Sequence, residues 1–158
     1  MKIIVDVNVW ISAILWDGVP DRVLQLAEDK KINIFASQPL LVELEATLNR
    51  RKFQARLQAL DLTVDNVINA AKDIINLCPT IKIYVPQLRD PKDLTILAAA
   101  MSADVDVIVT GDLDILVLTE FNSIFILNPQ DFLNRYFPSQ TQLTMIKNHN
   151  VDSLPIPI

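Results

Sequence analysis

The chain has 158 residues, 51% of them hydrophobic, and sets 14 Lys and Arg against 19 Asp and Glu for a formal charge of −5. That length suits one domain with one sizeable core, and no apolar run approaches the ~20 residues that span a bilayer. One cysteine and one histidine exclude an intrachain disulfide and a cysteine-based zinc cluster and leave no convincing Ser-His-Asp or Cys-His nucleophile, so any catalysis falls to carboxylates. An isoelectric point of about 4.7 does not advertise a nucleic-acid binder. Carboxylates that hold divalent cations, however, lose much of their charge.

The N-terminal MKIIVDVNVW carries a charge inside its apolar stretch and lacks a small-residue cleavage site. It reads as a first strand, Lys2 to Val5, rather than a signal peptide, which sets the expectation of a cytoplasmic protein with no membrane partner. Val7 to Leu15 predicts a short helix, broken by Gly18. Pro20 and Asp21 open a second helix with the apolar stripe Val23, Leu24, Leu26 and Ala27. Ile32 to Phe35 predicts a second strand. Ser37 is placed as N-cap of a helix from Pro39 to Arg50, with Leu40, Leu41, Leu44 and Leu48 as its buried stripe. Two more helices are expected between Arg51 and Asn76. Leu57 and Leu60 face inward in the first, and Val64, Val67, Ile68, Ala71, Ile74 and Ile75 in the second. Cys78 ends that helical pattern and reads as a small buried hydrophobe. His149, the one histidine, falls in a polar tail segment.

Ile81, Ile83 and Val85 alternate with polar or amphipathic positions and predict a third strand. Asp90-Pro91 opens a helix through Ala98, Ala99, Ala100 and Met101. Val105 to Val109 and Ile124 to Leu127 predict two further strands, and Pro129 starts a last helix through Phe137. Strands alternating with helices imply an α/β fold with a parallel sheet covered on both faces. The domain is expected to span residues 1–137. The extension 138–158 has no clean period and ends LPIPI. It is expected to be either disordered or packed against a partner, and its apolar content favours packing.

Four acidic motifs run through this frame: IIVDVN with Asp6, LLVELE with Glu43 and Glu45, RDPKD with Asp90 and Asp93, and IVTGDLD with Asp112 and Asp114. Asp6 and Asp112 follow apolar strands, and in open α/β sheets ligands bind at the carboxyl ends of strands. Asn8 is placed to hydrogen-bond the carboxylate or a bound water, and Thr110 to orient Asp112, with Gly111 permitting a tight turn between them. Helical periodicity does not separate Glu43 from Glu45. Asp90 as N-cap and Asp93 at N3 are explained equally well by helix capping and by ligation, since a helix N-terminus keeps a carboxylate ionised. Asp114 serves either as a ligand or as a cap of a short helix from Ile115 to Leu118. If Asp6 and Asp112 end neighbouring strands, two charges ~4 Å apart repel by about 4 kcal/mol at an effective dielectric near 20. Raised pKa values, basic partners or a divalent cation must then compensate. An all-oxygen set suits Mg²⁺ or Mn²⁺.

On the motifs IIVDVNVWISAIL, LLVELEATLNRRKF, RDPKDLTILAAA, VIVTGDLDIL and ILNPQDFL, in that order, the chain resembles the PIN domain family over Lys2 to Phe137. Within that family it resembles the prokaryotic, VapC-like toxin components of toxin–antitoxin systems. The resemblance implies a three-layer α/β/α domain with a central parallel sheet and a metal-dependent ribonuclease site. It assigns Asp6, Glu43, Asp93 and Asp112 as catalytic metal ligands, with Asp90 and Asp114 accessory and Asn8 and Thr110 supporting. It also implies an antitoxin partner and a homodimer. The motifs depart from the family where Leu94 and Thr95 replace a more polar pair and where Ser102-Ala103-Asp104 replaces a glycine-containing turn.

The reaction expected is hydrolysis of single-stranded RNA with Mg²⁺ or Mn²⁺ as cofactor. Arg50, Arg51, Lys52, Arg56 and Arg89 would guide the phosphate backbone. For that basic run the plainer reading is a solvated helix end. Two rival readings stand beside the nuclease. One is an aspartate-based phosphotransfer domain, against which Asn8 occupies the second acidic position of a D-x-D motif. The other is a PIN-like interaction module without catalysis.

Overall fold

The computed structural model describes residues 1–152, with side chains through Asn148; the side chain of His149 and the closing LPIPI of the extension lie outside what is described. Lys2–Val5 forms strand β1, followed by helices α1 (Val7–Leu15) and α2 (Val19–Glu28). Next come β2 (Asn33–Ser37), α3 (Gln38–Leu48), α4 (Arg51–Ala59), α5 (Val64–Ile74) and β3 (Ile75–Cys78). The second half holds α6 (Pro91–Ala103), β4 (Val107–Val109), α7 (Leu113–Leu116), β5 (Glu120–Phe121), β6 (Ile124–Leu127), α8 (Pro129–Tyr136) and α9 (Gln140–Asp152). No helix among the described residues is long and apolar enough to cross a membrane.

The strands form one sheet in the order β3-β2-β1-β4-β6-β5, parallel except for β5, which pairs antiparallel with β6. β1 lies inside the sheet, with Ile3 opposite Ile34 of β2 on one side and Val107 of β4 on the other. Ile3, Ile4, Ile34, Val107 and Val109 are fully buried, as apolar strands covered on both faces must be. Helix α6 lies against β1, β2 and β3, and α8 against β6 and α2. The chain is an α/β protein whose mostly parallel sheet is flanked by helices.

Two expectations need correcting. The third strand is Ile75–Cys78, paired in parallel with β2, and Ile81–Val85 is not a strand. Ile75 takes extended geometry (φ −91°, ψ 137°) immediately after α5 while its N–H still bonds Ala71, so helix passes into strand with no turn residue to mark the change. Cys78 is nevertheless buried, its thiol donating to the Ala99 carbonyl at 3.7 Å. Leu60 is the C-cap of α4 and 37% exposed rather than inward-facing. Ser37 holds the N-cap position of α3, but its hydroxyl makes no capping hydrogen bond. In the extension, Gln140–Asp152 is helical, and Gln142 Nε2 donates to Asn134 Oδ1 of α8 at 2.7 Å. Where a glycine turn was missing after α6, Asp104 itself takes the left-handed conformation (φ 52°), which Asp tolerates better than most residues.

Candidate active site

The strand order fixes where a site can form. From β1 the chain steps outward to β2 and β3, then returns to place β4 on the other side of β1. The crevice at the carboxyl ends of β1 and β4 is therefore the topological switch point, the place where α/β sheets bind ligands. Asp6 is the first residue beyond β1, and its N–H bonds the Val109 carbonyl of β4 at 2.9 Å. Asp112 lies three residues beyond β4, so both carboxylates reach the same crevice.

Thr110, fully buried, ties the two together. Its hydroxyl donates to Asp6 Oδ2 at 2.6 Å and accepts from the Asp112 backbone N–H at 3.0 Å. The side chain that Thr110 orients is thus Asp6, not Asp112 as expected, because the register Val5 opposite Val109 brings Thr110 alongside Asp6. Asp112 Oδ1 in turn accepts from the Asp114 N–H at 2.9 Å and caps α7. Gly111 does not use the conformational freedom ascribed to it. Its φ is not positive, and a Cβ built there would meet nothing within 4 Å.

Asp6, Asn8, Glu43, Asp90, Asp93 and Asp112 line one cleft of about 100 Å³, together with Thr47, Arg50, Lys92 and Ile115. α3 supplies Glu43 on its half-buried side, while Glu45 is exposed and does not line the cleft. The Thr47 hydroxyl bonds the Glu43 carbonyl one turn on, at 2.8 Å. Asp90 is the N-cap of α6, accepting the Lys92 N–H at 2.9 Å, which sets Asp93 in the first turn. Asp93 is only 5% exposed, and among the described residues no donor reaches its carboxylate. Asp114 is exposed and does not line the cleft.

The electrostatics follow from this crowding. Burial first, then the charges of Asp112, Asp90, Asp114 and Asp6, push the Asp93 carboxyl up to about 6. Burial also raises Asp6 and outweighs the lowering by its Thr110 hydrogen bond. Glu43 is raised chiefly by burial, and the charge of Lys92 is the largest influence lowering it. Like charges gathered out of water disfavour ionisation, and a bound cation reverses that.

A divalent cation suits the donor chemistry. The set is all oxygen, as Mg²⁺ and Mn²⁺ prefer, and Asp93 presents a carboxylate that no donor among the described residues reaches. The spacing is looser than the chemistry. Among the described residues no group of three or more Asp, Glu, Cys or His side chains is drawn together into a ligand set as it stands. Ligation would require rotamer changes of the kind Glu43, half-exposed on a helix, is free to make.

Of the basic residues picked from the sequence, only Arg50 lines the cleft. Arg56 is committed elsewhere: its Nε donates to the Leu15 carbonyl at 2.7 Å and its guanidinium lies over Trp16. Lys52 lies over the Phe53 ring, and Arg51 and Arg89 are exposed outside the cleft. The cation that sequence reasoning missed is Lys92. It stands between Asp90 and Asp93 in the RDPKD motif.

No curated protein sequence matches the chain at a significant level. A solved structure with a similar fold is that of VapBC2 from Rickettsia felis bound to a DNA fragment from their promoter. The TM-score is 0.54 at 14% sequence identity, covering 81% of this chain and 98% of that one. The family model for the PIN domain matches residues 2–114, well over half of the chain and the whole stretch from β1 to Asp112 and Asp114. With the switch-point cleft and its carboxylates inside that match, the chain belongs to the PIN domain family.

Proposed function

We propose that this chain is a Mg²⁺- or Mn²⁺-dependent endoribonuclease that hydrolyses phosphodiester bonds of single-stranded RNA, acting as the toxin of a toxin–antitoxin pair. The observation that carries the reading is the cleft itself: carboxylates from α3, α6 and the ends of β1 and β4, with the buried Asp93 lacking a donor. Membership of the PIN domain family supports nuclease chemistry. The resemblance of the motifs to toxin components supports the pairing with an antitoxin and a homodimeric state.

Asp6, Glu43, Asp93 and Asp112 would hold the cation, with Asp90 at the margin. A bound Mg²⁺ or Mn²⁺ supplies activation of the attacking water and neutralises charge on the leaving oxygen. The residues do the rest. Thr110 fixes the Asp6 rotamer. Lys92 and Arg50 place positive charge at the rim of an acidic cleft, where they draw in a phosphodiester that the net charge of −5 would otherwise repel.

The test compares cleavage of an RNA pool with Mn²⁺ and with EDTA. Cleavage is expected only with the metal, and Asp112→Asn should lower the rate by at least about 100-fold, as loss of a group stabilising developing charge does. An Asp112→Asn protein as fast as the parent would sink the proposal. Millimolar Mn²⁺ should also raise the Tm, because a ligand that binds only the folded state stabilises it.

A further inference from the structure

Beside the carboxylate cleft lies a larger pocket of about 300 Å³, walled by the start of α3, the segment after β3 and the first turns of α6. Its walls are mainly apolar, from Ile81, Ile83, Leu94 and Ala98, with Thr80, Lys82 and Ser37 as polar points. A mostly apolar concavity with a few polar groups is what small ligands occupy. It opens at the carboxyl ends of β2 and β3, on the same edge of the sheet as the cleft.

Ser37 carries the argument. It is 3% exposed, lines this pocket, and holds an N-cap position without capping. Among the described residues its hydroxyl has no hydrogen-bond partner. No buried side-chain polar atom among the described residues is left unpaired, so this hydroxyl opens to the pocket, where a ligand group or water pairs it. The pocket and the cleft also share one helix start: Pro91 walls the pocket, while Lys92 and Asp93 wall the cleft. A ligand in the pocket is therefore a direct neighbour of a group held in the cleft. Tyr84, 85% exposed, directly follows the pocket-lining Lys82 and Ile83 in the chain without itself lining the pocket.

We infer that this pocket is a subsite for one unpaired nucleobase of single-stranded RNA, flanking the phosphodiester in the cleft, with the Ser37 hydroxyl hydrogen-bonded to the base edge. Recognition of splayed, unpaired bases by a hydrogen-bonding group and an aromatic face is how single-stranded RNA is read. Lys82 contacts the adjoining backbone. The subsite rests on the nuclease reading for its biological meaning, but its occupancy is measurable apart from that reading.

Titration of the methyl-labelled protein with each of the four nucleosides, without metal, reads the subsite alone, because an uncharged nucleoside needs no cation. The Ile83, Leu94 and Ala98 methyl signals should shift with at least one nucleoside. Ser37→Ala should weaken that binding about three- to tenfold, the loss of one hydrogen bond, and Thr95→Phe should abolish it by filling the pocket. Ser37→Ala removes no capping bond, so it serves alone if Thr95→Phe does not fold. No shift at these methyls with any nucleoside, or shifts that Ser37→Ala leaves unchanged, overturns the inference. RNA cleavage separates the two proposals. Metal-dependent cutting whose base preference ignores Ser37→Ala refutes the subsite and leaves the nuclease standing. Nucleoside binding that depends on Ser37, in a protein that cuts no RNA, does the reverse.

Discussion

Asp93 shows how one side chain ties stability to the chemistry of the cleft. In the fold its carboxyl titrates at about 6 rather than at 3.8, so between those values the folded chain holds a proton that the unfolded chain has released. Stability contributed by this group is full below the unfolded value and is lost as the pH rises through about 6. Asp6 and Glu43 are raised too and act in the same direction. Asp93→Asn should therefore raise the Tm at pH 7.5 and lose that advantage by pH 4, by melting curves at both, while abolishing metal-dependent cleavage. Thr110 acts oppositely. Thr110→Val leaves Asp6 and the Asp112 N–H without their shared partner, which should cost about 1–3 kcal/mol in denaturant unfolding. It should also lower cleavage in proportion to the freedom Asp6 gains. Asp6 and Asp112 were legible in the sequence because strand ends after apolar runs are conspicuous. The partner of Thr110 was not, because it depends on the register between β1 and β4, whose residues are about a hundred positions apart.

At the scale of elements, punctuation decided what could be read. Pro20, Pro39, Pro91 and Pro129 each lie in the first turn of a helix, and those helices were placed from the sequence. The passage from α5 into β3 has neither glycine nor proline, and the alternating Ile81, Ile83 and Val85 then supplied a false strand. Ile81 and Ile83 instead wall the pocket next to α6, and Val85 is buried. β5 was also missed, since two residues carry no period. Its turn to β6 places Asn122 and Ser123 at φ 47° and 66°, both on the left-handed side as tight hairpins require. Gly18 is the backbone position that tolerates least. At φ 136°, ψ −152° it occupies a region essentially reserved for glycine at the entry to α2. Gly18→Ala should cost about 1–3 kcal/mol, whereas Gly111→Ala, with open space around it, should leave the Tm nearly unchanged.

At the scale of the molecule, the buried core among the described residues takes no residue from α9. The sheet, the helices that cover it and every residue of the cleft lie before Pro138. A chain ending at Phe137 should melt cooperatively within a few degrees of the full chain, by circular dichroism, and keep its metal-induced Tm shift. A large loss would instead make α9 part of the folding unit. Composition alone does not locate the charge. A net charge of −5 argued against nucleic acid, yet the carboxylates gathered at the switch point make up much of that negative charge, and they are the groups a cation would neutralise.

The Thr110–Asp6 hydrogen bond joins residues 104 positions apart. β1 is made early but stays incomplete, since its neighbour β4 begins only at Val107. A chain still emerging from the ribosome thus carries Asp6, Glu43 and Asp93 with no fourth wall, and it cannot form the cleft until Thr110 and Asp112 have followed. The two halves of the site are separated in time as well as in sequence. A finished cleft therefore exists only late in each round of synthesis.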